Sequence, residues 1–287
     1  MTTIDLLTGP ASGMMWPGVI AAIAIAAQCA VLSVFIVLKR LAFLGQGVTH
    51  AAFGGVGIAA ILGLSAGAGF IVVAAFCVAS AVAVGALTER KKISSDTAIA
   101  LLLVGSMALG AVLLHIRLTR IGPTPMARGW ESLLFGSILT VQPADAALAW
   151  IALALIAFVL FMWRRALIFW AFESPAAQAY GVATGAMRMV LLVLAAIAIV
   201  VSMKLAGVVL ATALLVLPGA AALQLSRRLG AVFVLAVVIG EVGALGGLAL
   251  SFETDLPAGP CIVGCLAAIL ALSWAVPTGR PRTLEKA

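Results

Sequence analysis

Nine long and almost continuous apolar runs dominate the chain, and short polar or basic stretches separate them. Each run is close to the ~20 residues that a helix needs to cross the hydrocarbon core of a bilayer. The runs lie near residues 17–38, 43–64, 68–87, 97–115, 145–163, 186–202, 205–224, 230–250 and 257–276. The alternating polarity over roughly ten residues that marks a transmembrane barrel is absent. The pattern predicts an all-α, polytopic membrane protein with one transmembrane domain over residues 1–287.

The number of crossings depends on two short runs. Either 186–202 or 205–224 could be a broken or re-entrant segment, so eight crossings is the alternative to nine. Pro218-Gly219 lies inside the second run, and a proline there frees backbone carbonyls of the preceding turn. Such a break is usually a simple kink, although broken helices also line transport sites.

Composition and charge agree with a membrane protein. Hydrophobic residues make up 64% of the chain and charged residues 9%, whereas a soluble domain carries about 25% charged residues. The net charge of +7 does not indicate a nucleic-acid partner, because the basic residues form short clusters between apolar runs. With nine crossings, thirteen lysines and arginines fall on one side: Lys39, Arg40, Arg90, Lys91, Lys92, Arg164, Arg165, Arg188, Arg227, Arg228, Arg280, Arg282 and Lys286. Four fall on the other side: Arg117, Arg120, Arg128 and Lys204. The positive-inside bias therefore predicts an external N-terminus and a cytoplasmic C-terminus.

No motif for hydrolysis, redox chemistry or nucleotide binding is present. The sequence has no phosphate-binding Gly-x-x-x-x-Gly-Lys-Ser/Thr loop, so the chain is not expected to use ATP itself. Two histidines are too few for a closed tetrahedral zinc site, and no permanently bound cofactor is predicted. Cys261 and Cys265 share a helix face without a nearby histidine or carboxylate, and the four cysteines are interpreted as small apolar residues. No basic region precedes the first run, so a cleaved signal peptide is not expected.

The stretch 44–57 is the main candidate for chemistry. It places Gln46 and His50 four residues apart, on one face of a predicted helix, among five glycines. Ionisable groups at bilayer depth are costly, and by default they indicate a pathway for something polar. An imidazole, an amide oxygen and a carboxylate would make a transient site for a passing cation. The alternative is a neutral histidine that hydrogen-bonds a helix carbonyl, with Gln46 as interhelical glue.

Other polar residues are weaker candidates. Glu241 lies in the middle of an apolar run, where it must be protonated or paired, and it is a third candidate for the pathway. Asp96 is interpreted as an N-terminal helix cap. His115 and Asp255 lie at outer helix ends, where solvated roles are expected.

Two connections are longer than plain turns. The outer segment 116–144 predicts a loop followed by a short helix on the membrane surface, which Trp130 would anchor. The inner segment 164–188 contains Ser174-Pro175 and, further on, Gly181. This pattern predicts a helix of about two turns, with Ser174 as N-cap and Gly181 as C-cap. Such a short helix is marginal alone, so we expect a partner to dock on it.

Six collinear blocks resemble one family, the zinc/manganese-type permease subunits of bacterial ABC importers. The blocks are Gly45-Gln-Gly-Val-Thr-His50-Ala, Ile93-Ser-Ser-Asp96, Glu131-Ser-Leu-Leu-Phe-Gly-Ser-Ile138, Phe172-Glu-Ser-Pro with Ala179-Tyr-Gly-Val182, Lys204-Leu-Ala-Gly-Val-Val-Leu with Ala213-Leu-Leu and Pro218, and Asp255-Leu-Pro-Ala-Gly-Pro260. Each block alone is a weak signal, but six in the family's order, over nearly the whole chain, are a strong one.

The resemblance implies a homodimeric permease in the bacterial inner membrane with a central pathway for Mn, Zn or Fe. A separate cytoplasmic ATPase would dock on each subunit, and an extracytoplasmic metal-binding protein would deliver the ion. Phe172, Glu173, Ala179, Tyr180 and Gly181 would then belong to the coupling helix that contacts the ATPase. Two residues depart from the family pattern, since Gln46 and Ser137 stand where the family has aspartates.

Two rival functions follow from the same residues. A permease for siderophore- or cobalamin-type chelates would need a wide pathway more than ligands. An ion-coupled secondary transporter would use Glu241 as its proton site without an ATPase, and would show related halves, of which the sequence gives no convincing sign.

Overall fold

The computed structural model describes residues 12–90, 93–122 and 141–275. These residues form helices and connecting turns, with no strand among them. We number the helices α1 (Ser12–Leu38), α2 (Leu44–Ile61), α3 (Ala66–Arg90), α4 (Ser95–Ile116), α5 (Pro143–Phe172), α6 (Ser174–Ala179), α7 (Thr184–Ala206), α8 (Val208–Leu214), α9 (Leu217–Leu225), α10 (Leu229–Thr254) and α11 (Ala258–Ala275). The surface helix predicted within 116–144 lies largely outside the described residues. The first residues of the segment 116–144, predicted as a loop, continue α4 as a π-helical turn, Arg117–Ile121.

Nine segments of the described chain are long and apolar enough to cross a membrane, which confirms the nine predicted runs. The segment Val208–Leu225 is the broken one, because it consists of α8 and α9. The break falls at Leu215-Val216, just before the proline that begins α9. Proline lacks an N–H and fits the first turn of a helix, so Pro218 starts a new helix here.

The centre of the bundle is formed by α1 and α7, which are buried around most of their circumference. α1 packs against α5, α9 and α10, and α7 packs against α2, α3 and α5. Helices that are apolar all round belong in such central positions. α2, α3 and α4 form a group on one side, and α9, α10 and α11 form a group on the other.

Glycines bring α2 and α4 into very close contact. A Cβ on Gly57 would lie 2.8 Å from the Cα of Gly110, and a Cβ on Gly110 would meet the Phe53 carbonyl group. A Cβ on Gly47 would likewise overlap Ile99. Small residues at such crossings let helix backbones approach closely where no hydrophobic effect drives association. The glycine-rich stretch of α2 is therefore a packing surface along one side.

An ion pair joins three helices at the end of the bundle where α5 begins. Lys204 at the end of α7 donates to Asp145 in the first turn of α5, over 2.7 Å. The same ammonium group lies 4.5 Å from the centroid of the Phe70 ring on α3. These contacts fix the ends of α3, α5 and α7 relative to one another.

Two predicted helix caps are corrected. Ser94, not Asp96, is the N-cap of α4, since its hydroxyl accepts a hydrogen bond from the Thr97 backbone N–H. Asp96 lies in the first turn, where a negative charge favours the helix dipole. The N-cap position of α6 is held by Glu173, and the Ser174 hydroxyl donates backward to the Trp170 carbonyl oxygen.

The predicted end of α6 is confirmed. Gly181 has φ of +83°, and its N–H bonds to Gln178 while the Val182 N–H bonds to Ala177. This pair of bonds is a Schellman motif, which requires the left-handed conformation that glycine adopts at little cost.

Candidate functional site

Gln46 and His50 meet on one face of α2, as their spacing predicts. Gln46 Nε2 lies 3.4 Å from His50 Nε2. When the amide donates this hydrogen bond, His50 Nε2 is the acceptor and the ring proton is on Nδ1. In that tautomer the Nε2 lone pair of His50 faces Gln46 on the same helix.

Most of α2 is buried, and Gln46 and His50 are the polar members of its less buried side, which also carries Phe53, Ile58 and Ile61. Thirteen of its eighteen residues are buried, whereas Gln46 is exposed and His50 half-buried in the protomer. Thr49, on the buried side, donates its hydroxyl to the carbonyl oxygens of Gly45 and Gln46. These two bonds stabilise the first turn of α2, so the backbone under Gln46 is fixed.

Thr212 on α8 is a neighbour of the pair that the sequence analysis missed. A Cβ on Gly45 would lie 3.3 Å from Thr212 Cγ2, so α8 passes directly beside the residue that precedes Gln46. The Thr212 hydroxyl bonds to the carbonyl oxygens of Val208 and Val209 within its own helix. α8 belongs to the broken span, and the break thus brings a short helix with a hydroxyl next to the start of α2.

Glu241 lies elsewhere in the protomer. It is half-buried on α10, which packs mainly against α1, α9 and α11, whereas α2 packs mainly against α3, α4 and α7. Its Oε2 atom has no hydrogen-bond partner among the described residues. The structure brings Gln46 and His50 together and leaves Glu241 on another group of helices, and its place on the pathway stays a prediction.

The described residues contain no group of three or more His, Cys, Asp or Glu side chains that could hold a metal ion. Cys261 is buried and Cys265 half-buried on α11, consistent with apolar packing. His115 and Asp255 are exposed at helix ends, as expected. Gln46 and His50 alone supply an amide oxygen and an imidazole, which suits a passing cation better than a stored one.

A second candidate surface surrounds α6. Phe172, Glu173, Ala179, Tyr180 and Gly181 are all exposed there, and Tyr180 is 82% exposed. Its ring contacts Phe169 at a centroid distance of 5.9 Å. An exposed aromatic side chain at the end of a short helix is typical of a contact surface for another protein.

Comparisons with known proteins place the whole chain in a family. The ABC 3 transport family matches residues 11–276. The manganese transport system membrane protein MntC of Halalkalibacterium halodurans is 31% identical over 257 residues, which cover 88% of this chain and 84% of that protein. The chelated iron transport system membrane protein YfeD of Yersinia pestis is 31% identical over 250 residues, covering 87% and 80%.

A solved structure has the same fold. The chain resembles PsaBC from Streptococcus pneumoniae in complex with Fab, with a TM-score of 0.77 and 25% identity, covering 94% of this chain and 93% of that chain. The family match spans most of the nine-span bundle, including α2 and α6. The chain therefore belongs to the ABC 3 transport family.

Proposed function

We propose that this chain is the transmembrane permease subunit of a bacterial ABC importer for a divalent transition metal ion: manganese, zinc or iron. The observation that carries the proposal is the Gln46–His50 pair, two polar side chains on the less buried side of a mostly buried membrane helix. The names of the relatives, a manganese and a chelated iron transport protein, support this class of cargo.

The position of the pair favours a second copy of the chain as partner. His50 is the seventh residue of α2, so it lies about 9 Å along the helix axis from Leu44. An imidazole and an amide facing hydrocarbon at that depth would be costly, since lipid offers them no hydrogen-bond partner. A homodimer that turns both α2 helices toward a shared central pathway removes this cost and gives the cation two pairs of ligands.

The exposed surface around α6 is the proposed contact with the subunit that hydrolyses ATP. The chain lacks a phosphate-binding loop, so ATP hydrolysis falls to a separate cytoplasmic ATPase. That ATPase docks on the exposed coupling residues around α6, with Tyr180 as the central aromatic contact. An extracytoplasmic metal-binding protein delivers the ion to the opposite side, which the N-terminus faces. No cofactor stays bound to the permease.

The deciding experiment measures metal content in metal-starved cells. A strain that lacks this permease is compared with the same strain rescued by the wild-type chain, and manganese, zinc and iron are measured by elemental analysis. We expect one of the three metals to fall severalfold in the deletion strain and to return on rescue. If all three stay unchanged with no redundant importer present, the ion assignment fails. Loss of uptake of an intact iron or cobalt chelate would then identify a chelate permease.

Gln46 gives a prediction about selectivity. Replacing Gln46 with aspartate restores the carboxylate of the family pattern four residues before the histidine, and a nearby negative charge favours a divalent cation. We expect the half-saturating metal concentration for uptake to fall about threefold to tenfold, since each 1.4 kcal/mol of added attraction is a factor of ten. Transport of radioactive Mn²⁺ into cells checks this. A matched Gln142→Asp variant adds the same charge at the exposed N-cap of α5, a helix that packs mainly against α1 and α7, and should leave the curve unchanged.

A further inference from the structure

A single lysine from α1 holds the junction between α5 and α6. Lys39 Nζ donates 2.5 Å hydrogen bonds both to the Trp170 carbonyl oxygen and to the Ser174 hydroxyl oxygen. The same ammonium group lies 4.4 Å from the centroid of the Trp170 ring. These residues are more than 130 positions apart in the sequence, so the contact joins two distant parts of the chain.

The junction needs such a partner because the helix is interrupted there. α5 ends at Phe172, and Glu173 adopts φ of −138° and ψ of 74° before α6 begins. The Trp170 carbonyl is one of the last four of α5, which an ideal helix leaves without an intrahelical donor. Ser174 Oγ donates to it over 3.0 Å, and Lys39 supplies the second hydrogen bond. The bend that sets the direction of α6 is therefore held by side chains.

Lys39 is also the first residue after α1, in the tight turn that leads into α2. In this turn Leu41 N–H bonds to Ile36, Leu44 N–H bonds to Leu41 and Gly47 N–H bonds to Phe43, all through carbonyl oxygens. These bonds connect Lys39 to the first turn of α2 without a flexible segment. Gln46 follows Lys39 by seven residues and His50 by eleven.

The surroundings of Lys39 disfavour its positive charge, and its hydrogen bonds at the junction oppose that effect. Burial lowers the pKa of Lys39, the positive charge of Arg188 lowers it further, and Glu173 opposes both. A half-buried cation beside a second cation is costly unless its hydrogen bonds are used. An apolar side chain would fill the same space without this cost, but it could not donate hydrogen bonds to Trp170 and Ser174.

Space remains on another side of α6. A mostly polar cavity of about 360 Å³ lies between α6 and the ends of α3 and α7, lined in part by Glu89, Gln178 and Arg188. α6 is linked at its two ends to α5 and α7, Ala177 is fully buried and Tyr180 contacts Phe169. The cavity leaves space beside α6, and Lys39 is the side chain of the α1–α2 turn that contacts its start. The cavity gives α6 room to move, and Lys39 is the side chain that such a movement would displace.

We propose that Lys39 is a positioning residue that transmits movement of α6 to the start of α2, where Gln46 and His50 lie. This inference rests on the proposed function, in which an ATPase moves α6. The α5–α6 junction and the α1–α2 turn then shift together, because the Lys39 side chain joins them. Without this side chain, α6 moves and the Gln46–His50 pair does not follow.

The test uses the complete importer, permease with its cognate ATPase, in proteoliposomes. ATP hydrolysis and uptake of Mn²⁺, Zn²⁺ and Fe²⁺ are measured together for wild type, Lys39→Met and Lys39→Arg. We expect Lys39→Met to hydrolyse ATP within twofold of wild type while the ions transported per ATP fall about tenfold. Lys39→Arg keeps the charge, the donors and the aromatic contact, so it should recover at least half of the wild-type ratio. Wild-type transport per ATP in Lys39→Met would overturn the proposal.

Arg40→Asn is the matched control. It removes the neighbouring positive charge, and asparagine tolerates the left-handed backbone of that position, where φ is +56°. This variant should transport like wild type. If it lost transport per ATP as strongly as Lys39→Met, general loss of positive charge at this turn would explain the effect and the proposed role of Lys39 would be refuted. Ser174→Ala removes only one of the two acceptors of Lys39, so it should give an intermediate loss and serves if Lys39→Met does not fold.

A second measurement follows movement without any cargo. Phe43, 65% exposed in the turn, is replaced by cysteine in a chain whose four native cysteines are alanine, and a fluorophore is attached there. We expect ATP to change the fluorescence of the complex, and Lys39→Met to remove at least four fifths of that change. If wild type moves but transports none of the three ions, the cargo assignment fails and the role of Lys39 stands. If Lys39→Met keeps the fluorescence change, Lys39 does not transmit the movement.

Discussion

Replacing His50 with alanine is expected to lower metal uptake by at least about tenfold at limiting metal concentration, because a lost contact to a charged ligand typically changes an equilibrium by that factor or more. The substitution removes the imidazole whose Nε2 lies 3.4 Å from the Gln46 amide nitrogen and leaves that amide without its neighbour on α2. Since His50 is half-buried on the exposed side of α2, alanine leaves no buried donor unpaired and opens no core cavity. The protein should therefore still fold and reach the membrane.

The measurement is initial uptake of the ion identified by elemental analysis, in cells with equal amounts of permease in the membrane. His115→Ala is the matched control, because His115 is the other histidine of the sequence and lies exposed in the last turn of α4. It should transport like wild type. Equal uptake by His50→Ala and His115→Ala would remove His50 from the pathway and leave it as a neutral histidine packed at a helix surface.

The nine spans could be predicted from the sequence because membrane helices follow one simple rule. Without water in the hydrocarbon region, each crossing must be a long apolar helix, so run length determines the element. The broken span could also be predicted, because Pro218 has no N–H to bond to the preceding turn of a helix. The C-cap at Gly181 could be predicted from local sequence too, because glycine adopts the left-handed conformation that ends many helices.

The contacts between distant helices could not be read from the sequence. Lys39 looks like one member of a basic loop, and its bonds to Trp170 and Ser174 depend on how α1 and α5 cross. Thr212 looks like an ordinary polar residue in an apolar run until α8 is placed beside Gly45. The Ser174 cap was wrong for the same reason, because a carbonyl of the preceding helix competes for its hydroxyl.

Which of Gln46, His50 and Glu241 lie close together could also be learned only from the fold. All three are polar residues in apolar runs, and that pattern alone makes each a candidate for the pathway. Depth along a helix does not determine which neighbours a residue meets, and α10 packs mainly against a different set of helices from α2. A change of charge at residue 46 and a change of charge at Glu241 therefore act in different parts of the protomer, and each needs its own experiment.

Replacing Gly110 with alanine is expected to destabilise the protein strongly and to separate α2 from α4. A Cβ at Gly110 would lie 2.7 Å from the Phe53 carbonyl carbon, which is backbone and cannot rotate away. Relief requires one helix to move as a whole, and overpacking of this kind typically costs about 1–3 kcal/mol. Gly57 faces Gly110 across the same contact, so Gly57→Ala should have an effect of the same sign.

Gly105→Ala is the matched control on the same helix. Gly105 is exposed, a Cβ there would meet no atom within 4 Å, and alanine favours a helix over glycine by roughly 1 kcal/mol. Thermal unfolding of the purified protein in detergent should give a melting temperature lowered by about 2–12 °C for Gly110→Ala and equal or higher for Gly105→Ala, taking about 1–3 kcal/mol at about 2–4 °C per kcal/mol. Because α2 carries Gln46 and His50, Gly110→Ala should also reduce metal uptake per folded molecule. Unchanged stability in Gly110→Ala would mean that α2 and α4 do not touch at this crossing, and the position assigned to the His50 face would then be wrong.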